Sequence, residues 1–148
     1  MTMGRRHTPA VGCDVFVVDE RSRVLLVRQA ADGLWSLPGG AQDFGETPSQ
    51  CAARECREET GYRVRVVELI GAFSSLAIDG FPNGESEYVG LLFYAEVIGG
   101  GPEASGEIAA VGWFDVDECP SLVAGHRARI NTGFRYLQEG ESFTAHFD

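Results

Sequence analysis

Residues 40–62 confine this chain more than any other stretch. They run from Gly40 through Glu46, Thr47 and Pro48 into Arg54, Glu55, Glu58, Glu59 and Gly61. Thr47 is a good N-cap, and proline suits the first helical position because its missing N–H would have no partner there. The spacing predicts a helix from there to about Thr60, with Gly61 as a left-handed C-cap. On that helix Glu55, Glu58 and Glu59 stand at i, i+3 and i+4, so they project from one face. Three like charges so placed repel one another and destabilise the helix unless a cation joins them. A donor set made of oxygens alone suits Mg²⁺ or Mn²⁺.

The order of residues also resembles a known motif. Gly40, Glu46, Arg54, Glu55, Glu58, Glu59 and Gly61 fill the seven fixed positions of the Nudix box, G-x5-E-x7-R-E-U-x-E-E-x-G-U, without a gap. Cys56 and Tyr62 occupy the two apolar positions, where Leu, Ile or Val is usual. The resemblance implies an α/β protein with the Nudix fold, a mixed β-sheet sandwiched between helices. It implies a hydrolase acting at one phosphorus of a nucleoside diphosphate linked to another group. Carried over residue by residue, it makes Gly40 (through its carbonyl), Glu55, Glu58 and Glu59 the metal ligands. Arg54 becomes a structural residue that holds a box glutamate in place, and Glu46 an orienting carboxylate.

The general base is not fixed by the motif. Members of the family carry it in the box, where Glu58 is first in line, or in a later loop. In this chain the later candidate is Glu107, at the end of a glycine-rich stretch and before Trp113, with Glu103 as its competitor. Arg28 and Gln29 lie near the glycine loop in the chain and are candidates for substrate contact. Phe16, Phe73, Phe81, Tyr88 and Phe93 are candidates for stacking a base, although aromatics on strands more often belong to the core.

The rest of the chain agrees with one domain of 148 residues, with residues 1–9 as an N-terminal arm. The formal net charge of −10 repels a nucleic-acid backbone and argues against stable nucleic-acid binding. No apolar run reaches the length of a membrane span. Cys13, Cys51, Cys56 and Cys119 lack metal-ligand spacing and read as reduced thiols, which points to the cytoplasm. Cys51 and Cys56, five apart on one helix, are expected to point to different sides.

Alternating β-branched and aromatic stretches predict strands over 11–18, 23–28, 64–78, 87–98 and 110–115, the third bent at Gly71 and paired antiparallel with the fourth. The second is apolar throughout its middle and is expected to be buried on both faces. Residues 99–107 read as a flexible loop, and 124–137 as a second helix with Ile130, Phe134 and Leu137 on one face. The expected substrate is a small nucleotide: ADP-ribose, another nucleotide sugar or a dinucleotide. A house-cleaning nucleoside triphosphate pyrophosphohydrolase is the alternative, and a Nudix-fold binding domain without catalysis the rival from another class. Many members of the family form homodimers, and the sequence neither requires nor opposes that here.

Overall fold

The computed structural model describes residues 8–84 and 86–148. Most of the predicted N-terminal arm, residues 1–7, lies outside the described residues. Eight strands and two α-helices follow in the order β1 (Ala10–Phe16), β2 (Val24–Gln29), β3 (Trp35–Ser36), β4 (Gly39–Ala41), α1 (Pro48–Thr60), β5 (Tyr62–Ser74), β6 (Tyr88–Gly100), β7 (Ile108–Phe114), α2 (His126–Glu139) and β8 (His146–Phe147). Five strands form a mixed sheet in the order β4-β1-β6-β5-β8, and three form a smaller sheet in the order β3-β2-β7.

The strand pattern decides which helix each face receives. Along β1, Cys13 and Val15 point into a core shared with Cys51, Ala52 and Cys56 of α1, together with Leu25, Val64, Phe93 and Ala95. Phe16 points the other way, into a core with Val24, Leu26, Leu37, Ile70, Leu92 and Ile130 of α2. Residues two apart in a strand share a face, so one run of apolar residues serves both cores. Val24, Leu25, Leu26 and Val27 are all fully buried, which is the two-sided burial expected of β2. The layers are therefore helix, sheet and helix.

Local chemistry sets the ends of α1. The Thr47 hydroxyl accepts from the Gln50 amide at 3.2 Å, and the Gln50 side chain accepts from the Thr47 amide at 2.8 Å. Gly61 closes the helix with φ 81°, donating its N–H to the Arg57 carbonyl. That left-handed conformation carries no Cβ penalty only in glycine.

Several expectations need correction. Cys51 and Cys56 both enter the same core, with Ala52 between them on the helix face, because α1 packs against β1, β4 and β5 together. The third strand begins at Tyr62 and ends at Ser74, after which Ser75–Ala77 forms a 3₁₀ turn. Its register shifts at three places, the last between Leu69 and Gly71, where a bend was expected. Strand β4 stands where the glycine loop is expected, and β8 adds a strand that the sequence pattern does not predict. Both are two or three residues long and exist through pairing with distant strands, β1 and β5. Among the described residues, no helix is long and apolar enough to cross a membrane.

Candidate active site

Strand β4 carries Gly39 and Gly40 along the edge of β1, and α1 packs over both. A Cβ on Gly40 would lie 2.5 Å from the Glu55 carboxyl carbon, so only glycine lets this backbone reach the helix. A Cβ on Gly39 would lie 2.1 Å from a carboxylate oxygen of Asp14. The Gly39 amide donates to Glu59 at 3.2 Å. The Gly40 carbonyl receives a long contact from the Cys51 thiol at 3.6 Å.

Arg54 is the organiser of the cluster. Its Nε and one terminal nitrogen donate to the two oxygens of Glu46 at 2.9 and 2.8 Å, a bidentate pair. The other terminal nitrogen donates to Glu55 at 2.9 Å and to Glu58 at 3.1 Å. The fork also reaches the Ala41 carbonyl at 3.3 Å, tying α1 to β4. These hydrogen bonds from Arg54, reinforced by the Asp43 amide, pull Glu46 down to about 2.

Glu59 is displaced in the opposite direction. Burial pushes its carboxyl up to about 8, only partly offset by the Gly39 amide, and the neighbouring charges of Glu55 and Asp14 add to the rise. Two carboxylates, Glu55 and Glu59, thus sit one helical turn apart in a half-buried place, and among the described residues no cation is paired with the second. Among the described residues, no three His, Cys, Asp or Glu side chains already converge as a ligand set. Glu58 is turned towards Arg54 and Glu59 towards the Gly39 amide. Still, the donor chemistry fits a hard divalent cation: oxygens only, anionic, and crowded enough that one carboxylate holds its proton too tightly.

A cavity of about 490 Å³ opens beside this cluster, lined by Gly39, Gly40, Glu55, Glu58, Glu59 and Glu107, among others. The loop bearing Glu107 is held at both ends. The Glu103 amide donates to the Thr60 carbonyl at 2.8 Å, and Ala30 donates to the Glu107 carbonyl at 2.9 Å. Ser105 caps the Glu58 carbonyl from the middle of the same loop. Glycines 99 and 100, expected in the loop, belong to β6. Glu103 is pinned at the end of α1 and does not line the cavity, whereas Glu107 does.

Gln29 lines this cavity and an adjoining one of about 370 Å³. Arg28 is exposed and lines neither, since successive strand residues face opposite ways. Of the aromatics, Phe16, Phe73 and Phe93 are buried. Tyr88 lines the second cavity, and Phe81 meets Tyr88 edge to face rather than the cavity.

The second cavity is walled by residues that sequence reasoning missed: Asp14, His126 and Arg129. The signal was present. Asp14 interrupts an otherwise apolar strand, and His126 and Arg129 stand at i and i+3 on the apolar side of α2. Asp14 and Arg129 form an ion pair at 3.0 Å with side chains 13% and 3% exposed.

The NUDIX domain family model matches residues 7–132. A MutT-like protein of Streptomyces ambofaciens is 40% identical over 108 residues, which cover 73% of this chain and 65% of that one. An ADP-ribose pyrophosphatase of Methanocaldococcus jannaschii is 31% identical over 131 residues, 86% of this chain and 75% of that one. The crystal structure of a UDP-X diphosphatase superposes with a TM-score of 0.83 at 24% identity, covering 95% of this chain and 68% of that one, and carries the likeness of fold. With the box intact and the family model spanning most of its length, the chain belongs to the Nudix family and is a Nudix hydrolase.

Proposed function

We propose that the chain hydrolyses the pyrophosphate linkage of a nucleoside diphosphate joined to another group, with Mg²⁺ or Mn²⁺ held by Glu55, Glu58, Glu59 and the Gly40 carbonyl. One observation carries this reading: the α1 carboxylates and Glu107 face a single cavity whose wall is the Gly39–Gly40 backbone. A divalent ion bound there would neutralise the diphosphate and lower the pKa of a bound water.

The protein's own groups supply the remainder. Arg54 fixes Glu46, Glu55 and Glu58 relative to β4, so the carboxylates meet the substrate with little reorganisation. Glycines 39 and 40 let the backbone come close to the anhydride. Glu107 lines the same cavity as the α1 carboxylates, where a carboxylate can take a proton from an attacking water. Glu58, half exposed on the same cavity, is the alternative base. The products are a nucleoside monophosphate and the phosphorylated remainder.

Two relatives' names support a linked diphosphate, the ADP-ribose pyrophosphatase and the UDP-X diphosphatase. A Bacillus subtilis relative named a putative 8-oxo-dGTP diphosphatase, 33% identical over 125 residues, keeps nucleoside triphosphates as the second reading. A panel of linked nucleoside diphosphates and of triphosphates, incubated with Mg²⁺ and separated by chromatography, tests the proposal. Monophosphate released from linked diphosphates supports it. Cleavage of triphosphates alone would favour the second reading.

A further inference from the structure

The cavity between β1, β4 and α2 has a definite donor and acceptor pattern. The Leu37 amide donates to His126 Nδ1 at 3.1 Å. That nitrogen therefore carries no hydrogen, and a neutral ring must place its proton on Nε2. Yet Nε2 lies 3.2 Å from an Arg129 terminal nitrogen, which also only donates. Two donors face each other, and both side chains are more than nine-tenths buried. Burial and the Arg129 charge push His126 down to about 3, so the ring is neutral at physiological pH. Among the described residues the Nε of Arg129 has no partner either, but it is buried out of a ligand's reach. An oxygen acceptor reaching the His126 Nε2–H and the Arg129 terminal N–H would remove the conflict between them.

Charge says what kind of oxygen. Arg129 is already matched by Asp14, and Asp32 lines the same cavity. A further anion would face two carboxylates and a single cation that Asp14 already pairs. A neutral carbonyl oxygen suits the site, with the Asp14 carboxylate beside it to accept an N–H.

Shape narrows the occupant further. Gly12 of β1 and Gly90 of β6 are paired across the sheet, and both line the cavity. Neither strand raises a side chain there, so the floor is flat. A Cβ built on Gly12 meets only the Gly40 carbonyl, at 3.9 Å, and would otherwise point into open space. The cavity shares Gln29, Gly39 and Gly40 with the diphosphate cavity, so one ligand can span both.

We propose that this cavity seats the substrate's nucleobase, and that His126, Arg129 and Asp14 select bases with a lactam edge, a carbonyl next to an N–H. This rests on the nucleotide reading of the adjoining site. Hypoxanthine, guanine and uracil present that edge. Adenine presents the reverse, an acceptor nitrogen beside an amino group, and would oppose donor to donor and acceptor to acceptor. Cytosine does the same at its N3 and N4. Within linked nucleoside diphosphates, the preference then falls on uridine and guanosine derivatives over ADP-ribose.

Inosine and adenosine 5′-monophosphates differ only at this edge, and their binding needs no hydrolysis. Calorimetry on the whole chain should give inosine monophosphate the tighter binding by about tenfold or more, the scale of one well-placed two-point base contact. Uridine and cytidine monophosphates should repeat the order. Gly12→Val, which fills the floor and leaves every polar group in place, should abolish binding of inosine monophosphate. Arg129→Lys should level the two purines. Equal or reversed purine affinities in the wild type, no binding of either, or unchanged binding by Gly12→Val would each overturn the proposal. Selective binding without Mg²⁺-dependent hydrolysis would leave the base site standing and remove the catalytic reading. Hydrolysis without base preference would do the reverse.

Discussion

Arg54 clasps Glu46 with two parallel hydrogen bonds of 2.9 and 2.8 Å, and spends its remaining nitrogen on Glu55 and Glu58. One guanidinium thus sets three carboxylates of the cluster. Lysine cannot reproduce the fork, because its ammonium is a point charge without fixed donor directions. Arg54→Lys should lower turnover or metal affinity by about 10- to 100-fold, the usual cost of losing a group that orients metal ligands. Steady-state kinetics over a Mg²⁺ titration separates the two effects. Unchanged kinetics would show that the carboxylates hold their places unaided.

Proton and metal should compete at Glu59. Its carboxyl, raised to about 8 chiefly by burial, must lose a proton before it can ligate. Mn²⁺ affinity should therefore rise as pH goes from 6 to 8, with proton release visible as a dependence of binding enthalpy on the buffer. The metal-free protein carries the linked sign. Its folded state holds the proton more tightly than the unfolded chain between about 4.5 and about 8, so this group's stabilising contribution is lost as pH rises through that window. Mn²⁺ affinity that is flat over the range would remove Glu59 from the ligand set.

His126 acts with the opposite sign. Buried and neutral, its folded pKa is depressed to about 3 from an ordinary 6.5. Its contribution is present above 6.5 and fades as pH falls below it, because the unfolded chain binds the extra proton. Asp14, raised to about 6 by burial against the pull of Arg129, opposes this trend below pH 6. Comparing wild type with His126→Gln isolates the histidine. The wild type should lose about 2 kcal/mol more than the variant between pH 7 and 5 in denaturant titrations. Parallel pH profiles would contradict a buried neutral ring.

Glu107 and Glu103 lie on one loop but in different surroundings. Only Glu107 faces the carboxylate cavity. Glu107→Gln should lower kcat with little change in KM, by about two orders of magnitude if it is the base. Glu103→Gln should be mild. If the effects are exchanged, the loop assignment is off by one carboxylate. If both variants are silent, Glu58 is the base.

What could be read from the sequence was local. The cap at Thr47, the length of α1 and the Gly61 stop depend on neighbours within a few turns, and so does the placing of Glu55, Glu58 and Glu59 along one cavity. The four buried residues of β2 announced themselves by composition. What stayed hidden depends on contacts across the chain. Strand β4 exists because Gly39, Gly40 and Ala41 pair with β1, and a glycine pair alone reads as a turn. Asp14 and Arg129 meet over 115 positions of sequence, so their ion pair and the cavity it lines could not be inferred from spacing. Proximity in the chain also suggested Arg28 as a ligand, whereas strand alternation turns it away from the cavities.

The central claim is that the α1 carboxylates carry metal-dependent hydrolysis, and charge removal without change of shape tests it most directly. Turnover of the best linked nucleoside diphosphate should be measured for wild type, Glu58→Gln and Glu59→Gln, each checked for folding by circular dichroism. The wild type should need Mg²⁺ or Mn²⁺ and stop with chelator, and each variant should lose about two orders of magnitude or more. Wild-type turnover by either folded variant, or turnover that survives the chelator, would contradict the account.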